Sequence, residues 1–245
     1  MTMTIAAQPA TLTLAAEYIE PPDTSAIEEW FFAEAASGTA PLKAVAVHNS
    51  LNDLTLEYQT NKMNYFSDGS GTGIQLTADA ATTDGPYAIV QNAQDNGDIA
   101  SKLTGQSIIY MIVVLDLVEG HTFGARLIHY GGDSTDGILG ITVGTSTMEV
   151  RWNNTATGDG RVFPNPPTGK TILLVQIDTS ENDNNDRVKC YYDNVSTAST
   201  GTGTVTKDSV LPGPGGTVTD FVVGNRGSAN RSIKGTVRYL KIGRG

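Results

Sequence analysis

The sequence predicts an all-β chain folded as a sandwich or barrel, and three observations carry that prediction. Glycine is abundant, at 27 of 245 residues, while charged residues are sparse at 17%. With frequent Thr and Ser, this composition favours strands and turns over helices. Ile108–Leu117, "IIYMIVVLDL", is a ten-residue apolar run, the pattern of a central strand covered on both faces. Short alternating segments then recur through the second half, separated by Gly and Asp/Asn turns.

The first 24 residues read as an extended arm in which "TLTLAA" adds a short strand and Pro21-Pro22 stops it. One short helix is expected next. Ser25 and Glu28 fit a capping box, Ile27, Trp30, Phe31 and Ala35 form a stripe at helical spacing, and Gly38 ends it. Residues 1–40 are therefore read as an anchor or docking segment, with Trp30 and Phe31 as core or docking anchors, and residues 41–245 as the sandwich.

"KAVAV" and "LTLEY" alternate at period two after Pro41, and "GPYAIVQ" is a further strand candidate. "SDGSGTG" (67–73) reads as a Gly-rich loop. It lacks a P-loop lysine, so a phosphate site has no support there. Beyond residue 108, strands are expected at Phe123–His129, Ile138–Val143, Met148–Trp152, Thr171–Asp178, Val188–Tyr192, Phe221–Gly224 and Thr236–Ile242. Asp193-Asn194 has the length of a two-residue hairpin turn, and 195–219 reads as a long surface crossover.

The net charge of −10 opposes nucleic-acid binding, which needs a basic face. The charge is uneven: residues 1–100 carry −11, residues 101–220 carry −5, and the six bases from Arg226 to Arg244 carry +6. Such polarity fits docking between unlike ends of neighbouring subunits, with Arg226 and Arg231 as interface residues in a homo-oligomer. The plainer reading puts the bases on the wet face of a final strand. Cys190 is alone and alternates with Val188 and Tyr192, which predicts a small buried hydrophobe. No apolar run reaches the length of a membrane span, and the N-terminus lacks a basic region followed by a long apolar one, so a protein made in a cytosol and no membrane partner are expected.

The order "IIYMIVVLDL", then "GKTILLVQIDTSENDNNDRVKCYYDNVSTAS", then "FVVGNRGSANRSIKGTVRYLKIG" resembles the concanavalin A-like family, in particular its laminin-G-like branch. The matching positions are Asp178, Val188–Asp193, Val222–Gly224 and Ile233–Ile242, and the resemblance spans about residues 85–245. It implies an antiparallel jelly-roll β-sandwich. It departs from the family at Thr168-Gly169-Lys170-Thr171, where a Trp and a His often stand.

The resemblance also sets the chemistry to be tested. Jelly-roll glucanases carry acid–apolar–Asp–apolar–apolar–Glu on one strand, and Val114-Leu115-Asp116-Leu117-Val118-Glu119 matches except at the nucleophile, which is Val114. Two carboxyls about 5–5.5 Å apart are needed for retaining hydrolysis, so no enzyme is expected and glycoside hydrolysis stays a remote alternative. His48, His121 and His129 have no metal-ligand spacing, and no G-x-S-x-G elbow exists. The family's rim calcium sites point to Asp133 and Asp136 in "GGDSTDG" and to Asp183 in "DTSENDNND", although plain solvated turns explain both loops and no cofactor is required.

The function expected from sequence is a non-enzymatic structural or attachment module on a larger assembly. Tailed-phage virion proteins, as capsid decorations or tail and fibre parts, resemble this combination, with other virion proteins as partners. The alternative is a lectin-like carbohydrate-binding protein for host or surface adsorption, with Trp152 and Tyr191 as candidate ring platforms for a glycan, while the plainer reading of Trp152 is a core position on the Met148–Trp152 strand.

Overall fold

A computed structural model of the chain describes residues 3–7, 10–14, 25–32, 43–57, 63–68, 71–77, 85–90, 99–118, 121, 124–131, 138–152, 160–201, 203–213, 220–226 and 230–245. In chain order these form β1 (Met3–Ala7), β2 (Ala10–Leu14), β3 (Ser25–Phe31), β4 (Lys43–Ala44), a 3-10 turn (Ser50–Asn52), β5 (Leu54–Glu57), β6 (Met63–Asp68), β7 (Gly71–Leu76), β8 (Tyr87–Val90) and α1 (Ile99–Leu103). There follow β9 (Ile108–Leu117), β10 (Ala125–Gly131), β11 (Leu139–Val143), β12 (Thr147–Trp152), β13 (Gly160–Pro164), β14 (Gly169–Asp178), β15 (Val188–Tyr192), β16 (Val195–Thr197), β17 (Asp220–Val223) and β18 (Gly235–Arg244).

Two antiparallel sheets form the expected jelly-roll sandwich. One runs β13-β12-β11-β10-β17-β8-β5-β4, and the other β16-β15-β14-β9-β18-β7-β6. β1 and β2 make a separate hairpin. The inward positions of both sheets fill one core, including Met111, Val113 and Leu115 of β9, Ile141 of β11, Val150 of β12 and Phe221 of β17. Period-two alternation puts the other residues of each strand outside. On β9 these are Tyr110, Ile112 and Val114, which gather with Leu174 and Tyr239 into a second apolar cluster. That is why the strand is apolar on both faces from Ile108 to Leu115.

β15 behaves as its alternation predicts. Val188, Cys190 and Tyr192 are buried, while Lys189 and Tyr191 take the other face. Asp193 and Asn194 both adopt positive φ, 49° and 69°, and close the hairpin to β16 with Tyr192 opposite Val195. Two left-handed residues match the strand twist in a two-residue turn, and Asp and Asn tolerate that conformation better than other side chains do.

The helix expected from residue 25 is corrected. Residues 25–31 are strand β3, paired antiparallel with the second half of β18, so this part of the N-terminal segment belongs to the sandwich. A register shift between Ala26 and Glu28 explains the misreading. The bulge at Ile27 resets the alternation, so Ile27 and Trp30, three apart, are both buried at the interior. Glu28 is not a helix cap. It is a wholly buried carboxylate that accepts hydrogen bonds from the amides of Glu29, His48 and Asn49 and from Asn52 Nδ2. The one α-helix among the described residues is α1, at a different place in the chain. The glycine-rich stretch 67–73 is also not a plain loop: it joins and forms parts of the β6–β7 hairpin. Gly73 is required there, because a Cβ would lie 2.7 Å from the Val237 carbonyl of the neighbouring strand.

Candidate functional site

The glucanase signature lands on β9, with its nucleophile position filled by a buried valine. Val114 is fully enclosed in the outer apolar cluster. Asp116 is half-buried and stands opposite Lys170 of β14 and Thr236 of β18. Glu119 lies outside the described residues. The positions described thus supply one carboxyl where that reaction needs two.

The two tryptophans are core residues, the interior of the two positions that the sequence allows for each, and neither is placed as a platform for a sugar or a docking partner. Trp152 is 1% exposed, points inward from β12 and donates its Nε1–H to Ser209 Oγ at 2.9 Å. No ring face is open to a sugar. Trp30 is 0% exposed, stacks on Phe221 at 5.4 Å between centroids and donates to the Asn52 carbonyl at 2.8 Å. Phe31 and Tyr191 sit on the outer face instead, half-buried beside the second apolar cluster, with Phe31 4.9 Å from the Tyr239 ring.

Of the calcium candidates, Asp133 and Asp136 lie outside the described residues. Asp183 is exposed and caps its own turn by accepting from the Asn185 amide at 2.9 Å. The carbonyls around it are taken by a buried guanidinium: Arg187 donates to Glu181, Asn182 and Val205 at 2.7–2.8 Å. A cation is thus already built into this loop, and among the described residues no group of three or more acidic, His or Cys side chains is placed to hold a metal ion.

Two cavities that the sequence reading missed adjoin the β11–β12 turn. The first is at the rim of the sandwich, about 740 Å³, lined by Leu117, Val118, His121, Val143, Thr145, Ser146, Pro164, Asn165, Pro166, Pro167 and Thr168. Its walls are tied together by Asn165, which donates from Nδ2 to the Gly144 carbonyl at 2.8 Å and from its amide to the Ser146 carbonyl at 3.1 Å. Thr145 Oγ1 donates to the His121 carbonyl at 3.1 Å, and His121 Nε2 accepts from the Lys234 amide at 2.9 Å. Asn165 Oδ1 is buried without a hydrogen-bond partner.

The second cavity, about 330 Å³, is a cleft on the outer face of β10–β13, lined by Gly124, Arg126, Thr142, Gly144, Thr147, Glu149, Arg151, Val162 and Arg231. Register builds it. Arg126, Thr142, Glu149 and Val162 form one row across the four strands. In the next row Arg151 stands between Gly140 and Gly160, which leaves no side chain on either flank. Arg126 donates from Nη1 to Thr142 Oγ1 at 2.9 Å and to the Gly124 carbonyl at 3.0 Å. Glu149 holds Arg151 through its Oε2, at 2.9 Å from Nε and 2.7 Å from Nη2. Arg231 reaches the site from the loop before β18, whose backbone is fixed by the Arg126 amide donating to the Arg231 carbonyl at 2.8 Å. Gly144 and Thr147 of the turn line the cleft, while Thr145 and Ser146 line the rim cavity, so one hairpin turn is the wall between them.

Arg126 and Arg151 occupy outward positions of strands that are otherwise apolar inside, and this was readable in the sequence. Their convergence was not, because it depends on register and on a loop far along the chain.

No protein-family model and no curated protein matches the chain. Solved structures do. The binding domain of botulinum neurotoxin DC, in complex with rat synaptotagmin II, is similar at 10% identity and a TM-score of 0.56 over 89% of this chain. The same domain in complex with SialylT gives 0.54 at 10% identity over 89%. A Trypanosoma rangeli sialidase mutant with trans-sialidase activity gives 0.53 at 13% identity over 87%. The chain spans 48%, 47% and 30% of those chains respectively. At this identity the likeness shows the all-β fold.

Proposed function

We propose that the chain is a non-catalytic, carbohydrate-binding recognition module, with the rim cavity as its saccharide site. The observation that carries this reading is the mixed lining of that cavity. Leu117, Val118, Val143 and Pro166 offer apolar surface, while Thr145, Ser146, Thr168 and Asn165 offer hydroxyl and amide groups. A pyranose presents the complementary mixture, apolar C–H faces beside hydroxyls that both donate and accept. Val114, standing where the glucanase signature has its nucleophile, supports binding rather than hydrolysis.

A virion-mounted module, made in a host cytoplasm and assembled with other virion proteins or with copies of itself, remains a separate proposal. It loses one intended anchor, because Trp30 is interior. The half-buried Arg226 and Arg231 are the docking candidates that it retains.

A glycan array followed by calorimetry tests the carbohydrate reading. Ser146 and Thr168 are exposed cavity residues, so Ser146→Trp and Thr168→Trp should fill the cavity and abolish glycan binding while the melting temperature stays put. An array without a hit, or binding that survives both substitutions, removes the reading.

A further inference from the structure

We propose that the saccharide site runs on from the rim cavity, over Val118, into a smaller pocket where the Asp116 carboxylate accepts from two adjacent hydroxyls of a second, uncharged ring. The ligand is then a neutral oligosaccharide of at least two hexoses, a reading that rests on the carbohydrate function above. Three observations converge on it. The first is continuity. The smaller pocket, about 150 Å³, is lined by Gln75, Asp116, Val118, Lys234 and Thr236 among others. Val118 is 46% exposed and lines the rim cavity as well. One exposed valine thus stands between the two hollows and offers an apolar ridge to the C–H face of a saccharide that crosses it.

The second observation is a change of chemistry along the outer face. On β9, Val114 stands between Ile172 of β14 and Tyr239 of β18, and all three belong to or pack on the outer apolar cluster. Two residues further, Asp116 stands between Lys170 of β14 and Thr236 of β18, and Thr236 is opposite Gln75 of β7. Strand periodicity puts both rows on one face. The face therefore turns polar where it reaches the rim, with Asp116 half-buried in that row. An ionised carboxylate only accepts, through two oxygens side by side, and a vicinal diol supplies two donors at matching spacing. Hydrogen bonds to such a charged acceptor are stronger than neutral ones. The same carboxylate, in a chain of net charge −10, opposes an anionic ring.

The third observation is that the wall between the two hollows is fixed. The Val118 amide donates to the Lys234 carbonyl at 3.0 Å, and the Lys234 amide donates to His121 Nε2 at 2.9 Å. Two residues of the rim cavity thus hold the backbone of a residue that lines the smaller pocket. A preformed site loses less affinity to ordering.

Isothermal titration of the full chain compares glucose with maltose and cellobiose, and galactose with lactose, with sialyllactose as the acidic arm. At least one disaccharide should bind about tenfold or more tighter than its monosaccharide. Sialyllactose should bind no tighter than lactose. Asp116→Asn keeps the shape and replaces one acceptor by a donor. It should cut the disaccharide's affinity about tenfold while the monosaccharide stays within about twofold. Lys234 is exposed, so Lys234→Trp should fill the smaller pocket from its mouth and remove the same advantage with Asp116 intact. Melting temperatures show whether each variant is folded. A disaccharide advantage that is missing from the parent protein, or that survives in either folded variant, overturns the second subsite and leaves the carbohydrate function standing. So does a protein that binds array glycans but none of these sugars. Sialyllactose tighter than lactose overturns the neutral-ring assignment. Parent protein that binds none of the six sugars, together with a glycan array without a hit, overturns both readings.

Discussion

Arg238 donates from Nη2 to Asp68 at 2.9 Å, joining residues 170 apart in sequence. Arg238 is the extra residue at a register shift in β18, between Val237 and Tyr239. Three residues further along β18, Lys241 lies 3.6 Å from Glu29 of β3, which also accepts from the Tyr239 hydroxyl at 2.9 Å. The acids of the N-terminal region and the bases of the C-terminal region therefore meet within one chain at these positions. The charge polarity read from sequence as docking between subunits is, for Arg238 and Lys241, internal pairing. Nor are they on a wet face of the final strand: the Arg238 side chain is 3% exposed and that of Lys241 14%.

The Arg238 side chain is 3% exposed and that of Asp68 is 38% exposed. Solvent screening at Asp68 limits the pair itself, so Asp68→Asn should cost about 1 kcal/mol. Arg238→Ala should cost more, about 2–3 kcal/mol, because a buried stem and its packing are lost with the charge. Urea midpoints of the two variants and of the double variant measure this. Equal costs, or none, would show that the bulge rather than the pair holds this corner.

Trp30 and Phe31, neighbours in sequence, should respond very differently to truncation. Trp30→Ala empties an interior site stacked on Phe221 and should cost about 3–5 kcal/mol. Phe31→Ala removes a half-buried ring from the outer cluster beside Tyr239 and should cost about 1–2 kcal/mol. Thermal melts decide it. A Trp30→Ala protein with native stability would restore the docking alternative that the sequence left open for both.

The contrast shows what was legible. β9, β14, β15 and the 193–194 turn follow directly from alternation and turn chemistry, because nothing interrupts their period. β3 was read as a helix because a single bulge at Ile27 converts period two into a spacing of three, which is a helical signal. The acid in the same stretch imitated a cap while serving as a buried hydrogen-bond acceptor. The cleft was illegible for a different reason. Arg126, Arg151 and Arg231 come from β10, β12 and the loop before β18, and only the pairing of strands brings them to one face. The tryptophans, one a candidate anchor and the other a candidate ring platform, lie inside for the ordinary reason that large rings bury the most area.

Glu28 should prove essential to the 45–53 segment. Its two oxygens accept four donors at 2.7–3.1 Å, three of them backbone or side-chain groups of His48, Asn49 and Asn52. In Glu28→Gln one end of the side chain becomes a donor facing donors, which should cost about 2–3 kcal/mol. Hydrogen exchange of the His48 and Asn49 amides should rise before global unfolding. Exchange that stays as slow as in the parent protein would mean that the loop is held without the carboxylate.

Alkaline pH should destabilise the fold through three buried acids, Tyr130, Cys190 and Tyr192. Burial pushes the Cys190 thiol up to about 12, partly offset by its hydrogen bond with Tyr192, and burial pushes the Tyr130 phenol up to about 12. Tyr192 is also raised, first by burial and then by the charge and hydrogen bond of Cys190, and its hydroxyl donates to the Pro164 carbonyl. In the unfolded chain a thiol releases its proton near about 8.5 and a phenol near about 10. Above those values the folded state binds more protons than the unfolded state, so stability must fall as pH rises. The contribution is intact below about pH 8. It is lost at up to about 1.4 kcal/mol per pH unit for the thiol alone, and more steeply once the phenols join near about pH 10. Urea midpoints from about pH 7 to about pH 11 should trace that descent. Cys190→Val should remove its first part, between about pH 8.5 and about pH 10, while leaving the later fall. A thiol reagent should label native Cys190 only after unfolding, since the residue is 1% exposed and its thiolate is suppressed. Rapid native labelling, or a midpoint that stays level to about pH 11, would mean that the Val188–Cys190–Tyr192 face of β15 does not look into the core.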